Sequence, residues 1–381
     1  MIPYGRQMIE DDDIEAVERI LKGDYLTTGP AIAEFEKALA EATGAKYAVA
    51  ISNGTTALHA ACFAAGIGPG DEVITSPMTF AASANCVLYC GGTPVFADIN
   101  PDTYNISADD LRKKITSRTK AIIPVHFTGQ PCEMDELLKI ADEFSLKVIW
   151  DGAHGLGAKY KGRKIAEFRD MTTMSFHPVK HITTGEGGAI LTDNKEFYEK
   201  MIMFRSHGIT RDEDKMLRNE GAWYYEQQYL GNNYRMTDIQ AALGISQLKK
   251  LDRFVERRTE IAKTYQEAFR GKREVVVPCQ SSEGSSSWHI YVIQLVLEEL
   301  KCDRRQFFDR LRSKGLGVNV HYIPVYYHPY YEKLGYQRGI CKEAENLYNR
   351  IITLPLYPGM TDQEVEHVIR SVNETIEEYR K

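Results

Sequence analysis

The run Ser175-Phe176-His177-Pro178-Val179-Lys180 ends on a lysine and is followed shortly by Gly185-Glu186-Gly187-Gly188. Upstream, Lys147-Val148-Ile149-Trp150-Asp151 closes an apolar strand pattern on a carboxylate, and His154 comes after it. A strand-end carboxylate and a lysine, separated by one more stretch of sheet, are what pyridoxal 5'-phosphate chemistry needs. The lysine carries the aldehyde as a Schiff base, and the carboxylate keeps the pyridine nitrogen protonated so that the ring can accept electrons. Lys180 and Asp151 are the expected catalytic pair and both are expected cofactor contacts. In such a reaction an amino acid displaces the lysine, and the freed amine moves a proton at the donor α-carbon. The nitrogen then passes to a ketone by the same steps reversed, with ping-pong kinetics.

Other residues fit around that pair. Asn53-Gly54-Thr55-Thr56 lies between a strand pattern and a helix pattern, so the amides and hydroxyls of Gly54, Thr55 and Thr56 open a helix N-terminus suited to a cofactor phosphate. Taken alone, the same run reads as a capped helix after a tight turn. Ser175, five residues before the lysine, could add a hydroxyl to that phosphate. Phe80 is expected to start a helix directly after a strand, where it could stack on the cofactor ring or serve as a core aromatic. A helix cap is the plainer role for Asp151. His154 reads as a ring neighbour, and His177 stays open between ring, substrate and an ordinary polar position at the sheet edge. Gly152, Gly155 and Gly157 are not spaced as GxGxxG and follow the fifth strand of the series, not the first. That argues against a nicotinamide dehydrogenase.

These residues need a scaffold that brings them together. Short β-branched runs at 47–51, 72–76, 94–97, 121–126, 147–151, 171–176 and 189–192 alternate with amphipathic stretches at 56–65, 81–89, 109–115 and 134–144. The alternation predicts an α/β fold with a mostly parallel seven-stranded sheet covered by helices on both faces. Ligands in such sheets bind at the carboxyl ends of the strands, where Asp151 falls and just past which Lys180 follows. Residues 207–232 are polar, aromatic and aperiodic, and a connection of that length with Trp and Tyr in it points to function. One long helix is expected from Thr237 to Phe269. After it come a Ser-rich segment (281–287), strands at 290–297 and 317–322, a helix at 304–314 and a terminal helix from about Asp362. This is read as a cofactor-binding domain over 1–245, its N-terminal segment contributing to the substrate site, and a smaller α+β domain over 246–381.

Composition sets the outer bounds. The chain has 381 residues, 43% hydrophobic and 26% charged, enough for a large core and more than one domain. Lys plus Arg is 47 against 53 Asp plus Glu, and the net charge of -6 provides no general attraction for nucleic acid or anionic lipid. Seven scattered cysteines without CxxC spacing favour a reducing cytoplasm over disulfides or a zinc site, and no metal is expected. The N-terminal residues do not read as a signal peptide, and no apolar run is long enough to span a bilayer.

Several runs together resemble the DegT/DnrJ/EryC1/StrS family of sugar aminotransferases, which are fold-type I pyridoxal phosphate enzymes. They are Leu26-Thr27-Thr28-Gly29-Pro30, Asp151-Gly152-Ala153-His154, Ser175 to Lys180 with Gly185 to Gly188, and Asn233-Tyr234-Arg235-Met236-Thr237-Asp238-Ile239-Gln240 with the residues after it. The resemblance covers essentially the whole chain. It implies a homodimer with shared active sites, in which Asn233 reaches the cofactor phosphate of the neighbouring subunit. The subgroup it resembles most comprises UDP-4-amino-4,6-dideoxy-N-acetyl-beta-L-altrosamine transaminases of pseudaminic acid biosynthesis. For that subgroup the substrate contacts match Tyr4, then Asp24, Tyr25, Leu26 and Thr27, then Asn319, Val320, His321 and Tyr322. The implied reaction moves an amino group from L-glutamate, leaving 2-oxoglutarate, to C4 of a UDP-linked 4-keto-6-deoxy-N-acetylhexosamine. Two departures concern the substrate. Asn53-Gly54-Thr55-Thr56 stands where the subgroup tends to have Ser-Ala-Thr-Ser, and His126-Phe127-Thr128-Gly129-Gln130-Pro131 is closer to other members, spore-coat polysaccharide enzymes among them. The alternatives are aminotransfer to another nucleotide-linked keto sugar and a non-catalytic regulatory member. A sugar 3-dehydratase would carry histidine at the lysine position, where this chain has Lys180.

Overall fold

Seven of the expected strands pair into one sheet. In the computed structural model, which describes residues 1–168 and 170–381, the strands lie in the order 47–51, 188–192, 171–175, 147–151, 119–123, 72–75, 93–96. Gly188–Thr192 runs antiparallel to both of its neighbours, and the remaining pairs are parallel. Successive side chains of a strand point to opposite faces, and the core divides accordingly. Ala48, Ala50, Val148 and Trp150 pack on one face with the helices Pro30–Thr43 and Met134–Glu143. Val49, Ile51 and Ile149 pack on the other with Gly54–Ala64, Ala82–Tyr89 and Lys195–Phe204. Burial on both faces explains why these strands read as apolar runs and not as alternating ones.

The C-terminal part has its own core. Val275–Val276, Tyr291–Leu295 and Ile351–Leu354 form an antiparallel three-stranded sheet. Against it pack Ile261 and Tyr265 of the helix Leu251–Phe269, Phe307 and Leu311 of Arg304–Ser313, and Val368 and Val372 of Asp362–Tyr379. Ile2–Pro3 pairs in parallel with Leu316–Gly317, so the chain's start lies beside this part. The boundary drawn at 245/246 falls inside the helix Asp238–Leu248.

Three expectations are corrected. The helix expected over 237–269 is two helices, Asp238–Leu248 and Leu251–Phe269. At the break, buried Lys250 turns its ammonium onto Glu10, Asp12 and Asp13 at 3.2, 2.5 and 2.8 Å. The strand expected over 317–322 is limited to Leu316–Gly317. Asn319 Oδ1 accepts from the Val320 amide at 2.8 Å, a local bond that competes with sheet pairing. Finally, Phe80 does not start its helix, which begins at Ala82.

Candidate active site

The carboxyl ends of the strands and the loops after them enclose a cavity of about 940 Å³. Of the residues singled out in the sequence, Tyr4, Gly54, Thr55, Thr56, Phe80, Asp151, His154, Ser175, His177, Lys180, Asn319, Val320, His321 and Tyr322 all line it. They come from segments up to about three hundred residues apart, which the sheet topology collects at one edge.

Asp151 is 4% exposed, at the end of its strand. Ser83 Oγ donates to its Oδ2 at 2.6 Å and the Ala153 amide donates to its Oδ1 at 3.1 Å. Burial nevertheless holds the carboxyl above its ordinary pKa, and the two hydrogen bonds and Lys180 only partly offset this. A buried carboxylate in that condition favours a cationic partner. Ser83 is itself fixed by Thr79, four residues earlier and ahead of the helix, with 2.7 Å between hydroxyls. A hydrogen bond to a charged group contributes about 1.5–3 kcal/mol. Ser83→Ala is therefore expected to lower kcat by roughly 10- to 100-fold without loss of fold; wild-type kcat in that variant would show that the bond does not tune Asp151.

Lys180 faces the cavity with its Nζ 3.4 Å from His289 Nε2. Burial pushes its pKa down to about 8, against the pull of Asp151 and with help from Arg258. About a tenth of the amine is therefore uncharged at pH 7, far more than for an ordinary lysine, and the uncharged form is what a nucleophile or proton acceptor requires. His154 and His289 lie with ring centroids 4.2 Å apart, and burial drives both well below the usual imidazole range, so both are neutral. His154 Nε2 is 3.0 Å from the Tyr322 hydroxyl.

The helix Gly54–Ala64 presents its N-terminus to the same cavity. Asn53 Oδ1 accepts from the Thr56 amide at 2.9 Å, and the Thr56 hydroxyl donates to Asn53 O at 2.8 Å. Thr56 is thus already used by the cap, whereas no hydrogen bond among the described residues takes the Gly54 and Thr55 amides, the Thr55 hydroxyl or the Ser175 hydroxyl. A Cβ on Gly54 would stand 2.9 Å from Ser175 Cβ, so only glycine lets the helix start and Ser175 close around one small space. Free N–H and O–H donors at a helix N-terminus, a buried carboxylate and a partly uncharged lysine are together the donor set that pyridoxal phosphate needs, and the residues fit it.

Some expected residues lie elsewhere. Asp24, Tyr25, Leu26 and Thr27 are exposed and outside the cavity wall of their own chain, as is Asn233. A bridge between Thr27 and Thr237 keeps the two segments near each other. No residue of 207–232 lines the cavity; that stretch carries a short hairpin, Ile209–Thr210 with Glu226–Gln227, and an exposed Trp223. Ser83 and His289 line the cavity and were not read from the sequence, and Glu186 and Tyr234, quoted there only as parts of motifs, line it as well. For Ser83 a signal existed, since Thr79 and Ser83 stand four apart beside Phe80. His289 is more than a hundred residues from Lys180, and nothing local marks it.

The model of the DegT/DnrJ/EryC1/StrS aminotransferase family matches residues 7–373. The spore coat polysaccharide biosynthesis protein SpsC of Bacillus subtilis is 42% identical, over 98% of this chain and 97% of its own. The UDP-4-amino-4,6-dideoxy-N-acetyl-beta-L-altrosamine transaminase of Campylobacter jejuni is 37% identical, over 100% of this chain and 99% of its own. Among solved structures, the PLP form of a Streptococcus pneumoniae protein assigned as a sugar aminotransferase superimposes with a TM-score of 0.92 at 30% identity, covering 99% of both chains. With Lys180, Asp151 and the free donors of Gly54, Thr55 and Ser175 gathered in one cavity, the match settles the class: the chain belongs to the DegT/DnrJ/EryC1/StrS aminotransferase family, and it is a fold-type I aminotransferase whose cofactor is pyridoxal phosphate.

Proposed function

We propose that the chain is a nucleotide-sugar aminotransferase that moves an amino group from L-glutamate to C4 of a UDP-linked 4-keto-6-deoxy-N-acetylhexosamine. The product is UDP-4-amino-4,6-dideoxy-N-acetyl-beta-L-altrosamine, in pseudaminic acid biosynthesis. The observation that carries the chemistry is the convergence of Asp151, braced by Ser83, with a lysine whose amine is partly uncharged. Support for the sugar comes from the whole-length similarity to the Campylobacter jejuni transaminase. The cavity is also at the upper end of the range usual for small-molecule sites, with room beyond a cofactor.

Bound pyridoxal phosphate supplies an aldehyde to carry nitrogen and a ring to accept electrons. Gly54, Thr55 and Ser175 would hold its phosphate, and Asp151 would keep a positive charge beside its carboxylate. Lys180 Nζ takes the proton from the donor α-carbon and, in the second half-reaction, delivers one to the sugar carbon that receives nitrogen. Phe80 and His154, which line the cavity, would flank the cofactor ring, and Tyr4 with Asn319 to Tyr322 would form the sugar side. In a homodimer Asn233 and Asp24 to Thr27 complete the neighbouring subunit's site. Their exposure, including the apolar Tyr25 and Leu26, fits surfaces that a partner covers. The 1–245 and 246–381 division and a cytoplasmic location belong to the same reading.

A second reading has its own support. The Bacillus subtilis spore coat relative is more similar in sequence, and His126 to Pro131 resembles such members. It keeps the chemistry and changes the sugar. Mass spectrometry of products, from holoenzyme with L-glutamate and a panel of nucleotide-linked keto sugars, separates the two. An aminated product only from the UDP-linked L-arabino 4-keto sugar is expected; preference for another keto sugar moves the assignment to the second reading, and no amination of any would overturn both.

A further inference from the structure

Arg258 lies on the helix Leu251–Phe269, directly after Arg257. Arg257 points outward to Asp362 at 2.6 Å, whereas Arg258 is 0% exposed. Among the described residues no carboxylate pairs with it. Its guanidinium instead donates to backbone carbonyls: Nη1 to Trp288, His289 and Leu356 at 3.3, 3.0 and 3.0 Å, and Nη2 to Val179 and Lys180 at 3.5 Å each. A buried charge without a counter-ion is costly, and burial pushes even this guanidinium down to about 9. A purely structural fork could be met by neutral donors at lower cost.

We propose that Arg258 is a positioning residue for Lys180, holding the 179–180 and 288–289 backbones together and presenting an unneutralised positive charge to the lysine amine. Two consequences meet at Lys180. Its Nζ and His289 Nε2, 3.4 Å apart, belong to the two segments whose backbone carbonyls the guanidinium joins. The charge also favours the uncharged amine, adding to burial and opposing Asp151. Besides Tyr4, His177, Glu186 and Tyr322, which share the cavity, the titratable groups that feel the lysine's charge are His154, His181, His289 and His321. Burial keeps all four neutral, leaving Asp151 and Arg258 as the two opposing charges.

This inference rests on Lys180 being the cofactor lysine, and the test separates the two. Arg258→Met and Arg258→Lys would be compared with wild type by the pH profile of kcat/KM. The titration of Lys180 would be followed by NMR after 13C-methylation of the full-length cofactor-free chain. In Arg258→Met the lysine pKa is expected to rise by about one unit, and the acid limb of the profile to move up with it. Arg258→Lys keeps the charge but cannot span both segments. It should titrate near wild type with a lower kcat and little change in KM for the keto sugar. A folded Arg258→Met with wild-type titration would overturn the proposal. If the Met variant does not fold, wild-type kcat in Arg258→Lys would overturn it. Failure of the underlying reading looks different: wild-type protein transfers no amino group although Lys180 still titrates near pH 8.

Discussion

Lys180→Ala is expected to lower amino transfer by about a thousandfold or more, because under the proposed mechanism it removes both the nitrogen that carries the cofactor and the base that moves the proton. The fold should survive. The lysine pKa is depressed in the folded chain, to about 8, against about 10.4 unfolded. Its ammonium therefore burdens the folded state below the folded value, and the burden fades as pH rises toward the unfolded one. The cofactor-free variant should accordingly melt at or above wild type at pH 7, with the difference shrinking towards pH ~10.4. Activity within tenfold of wild type, in a variant shown to be folded, would contradict the role given to Lys180.

Asp151→Asn should retain some cofactor and lose roughly 10²- to 10⁴-fold in kcat, since a neutral amide no longer favours a protonated ring nitrogen. The stability effect again has a defined sign. Burial raises the folded pKa of Asp151, so its charge destabilises the folded chain above that value and ceases to do so as pH falls to the ordinary ~3.9. Cofactor-free Asp151→Asn is thus expected to be at least as stable as wild type at neutral pH and to lose that advantage in acid. Steady-state kinetics with thermal melts from pH 4 to 8 would check both effects, and an unchanged kcat would leave Asp151 as a structural residue.

The strands of the main sheet were legible because burial on both faces makes each a compact apolar run bounded by turn residues. Legible too was the gathering of Asp151, Ser175 and the Asn53–Thr56 turn at or just after strand ends, with Lys180 five residues beyond one, in a single cavity. What escaped depends on partners distant in sequence. The helix Pro30–Thr43 begins on amides of Gly29 and Ala31 that Asp238 accepts at 2.8 and 3.0 Å, a cap more than two hundred residues away. The break after Leu248 depends on three carboxylates near the chain's start, which no property of Lys249 or Lys250 announces. His289 and Arg258 acquire meaning only once the C-terminal sheet sets them against the lysine. Asp24 to Thr27 mark the opposite case, for their motif was visible while the cavity of their own chain does not include them.

The most direct measurement is borohydride reduction of the protein with bound pyridoxal phosphate, followed by peptide mapping by mass spectrometry. The expected result is a single reduced cofactor adduct on Lys180, absent from Lys180→Ala. An adduct on a different lysine, or none under conditions where the chain transfers amino groups, would contradict the placement of the reaction in this cavity.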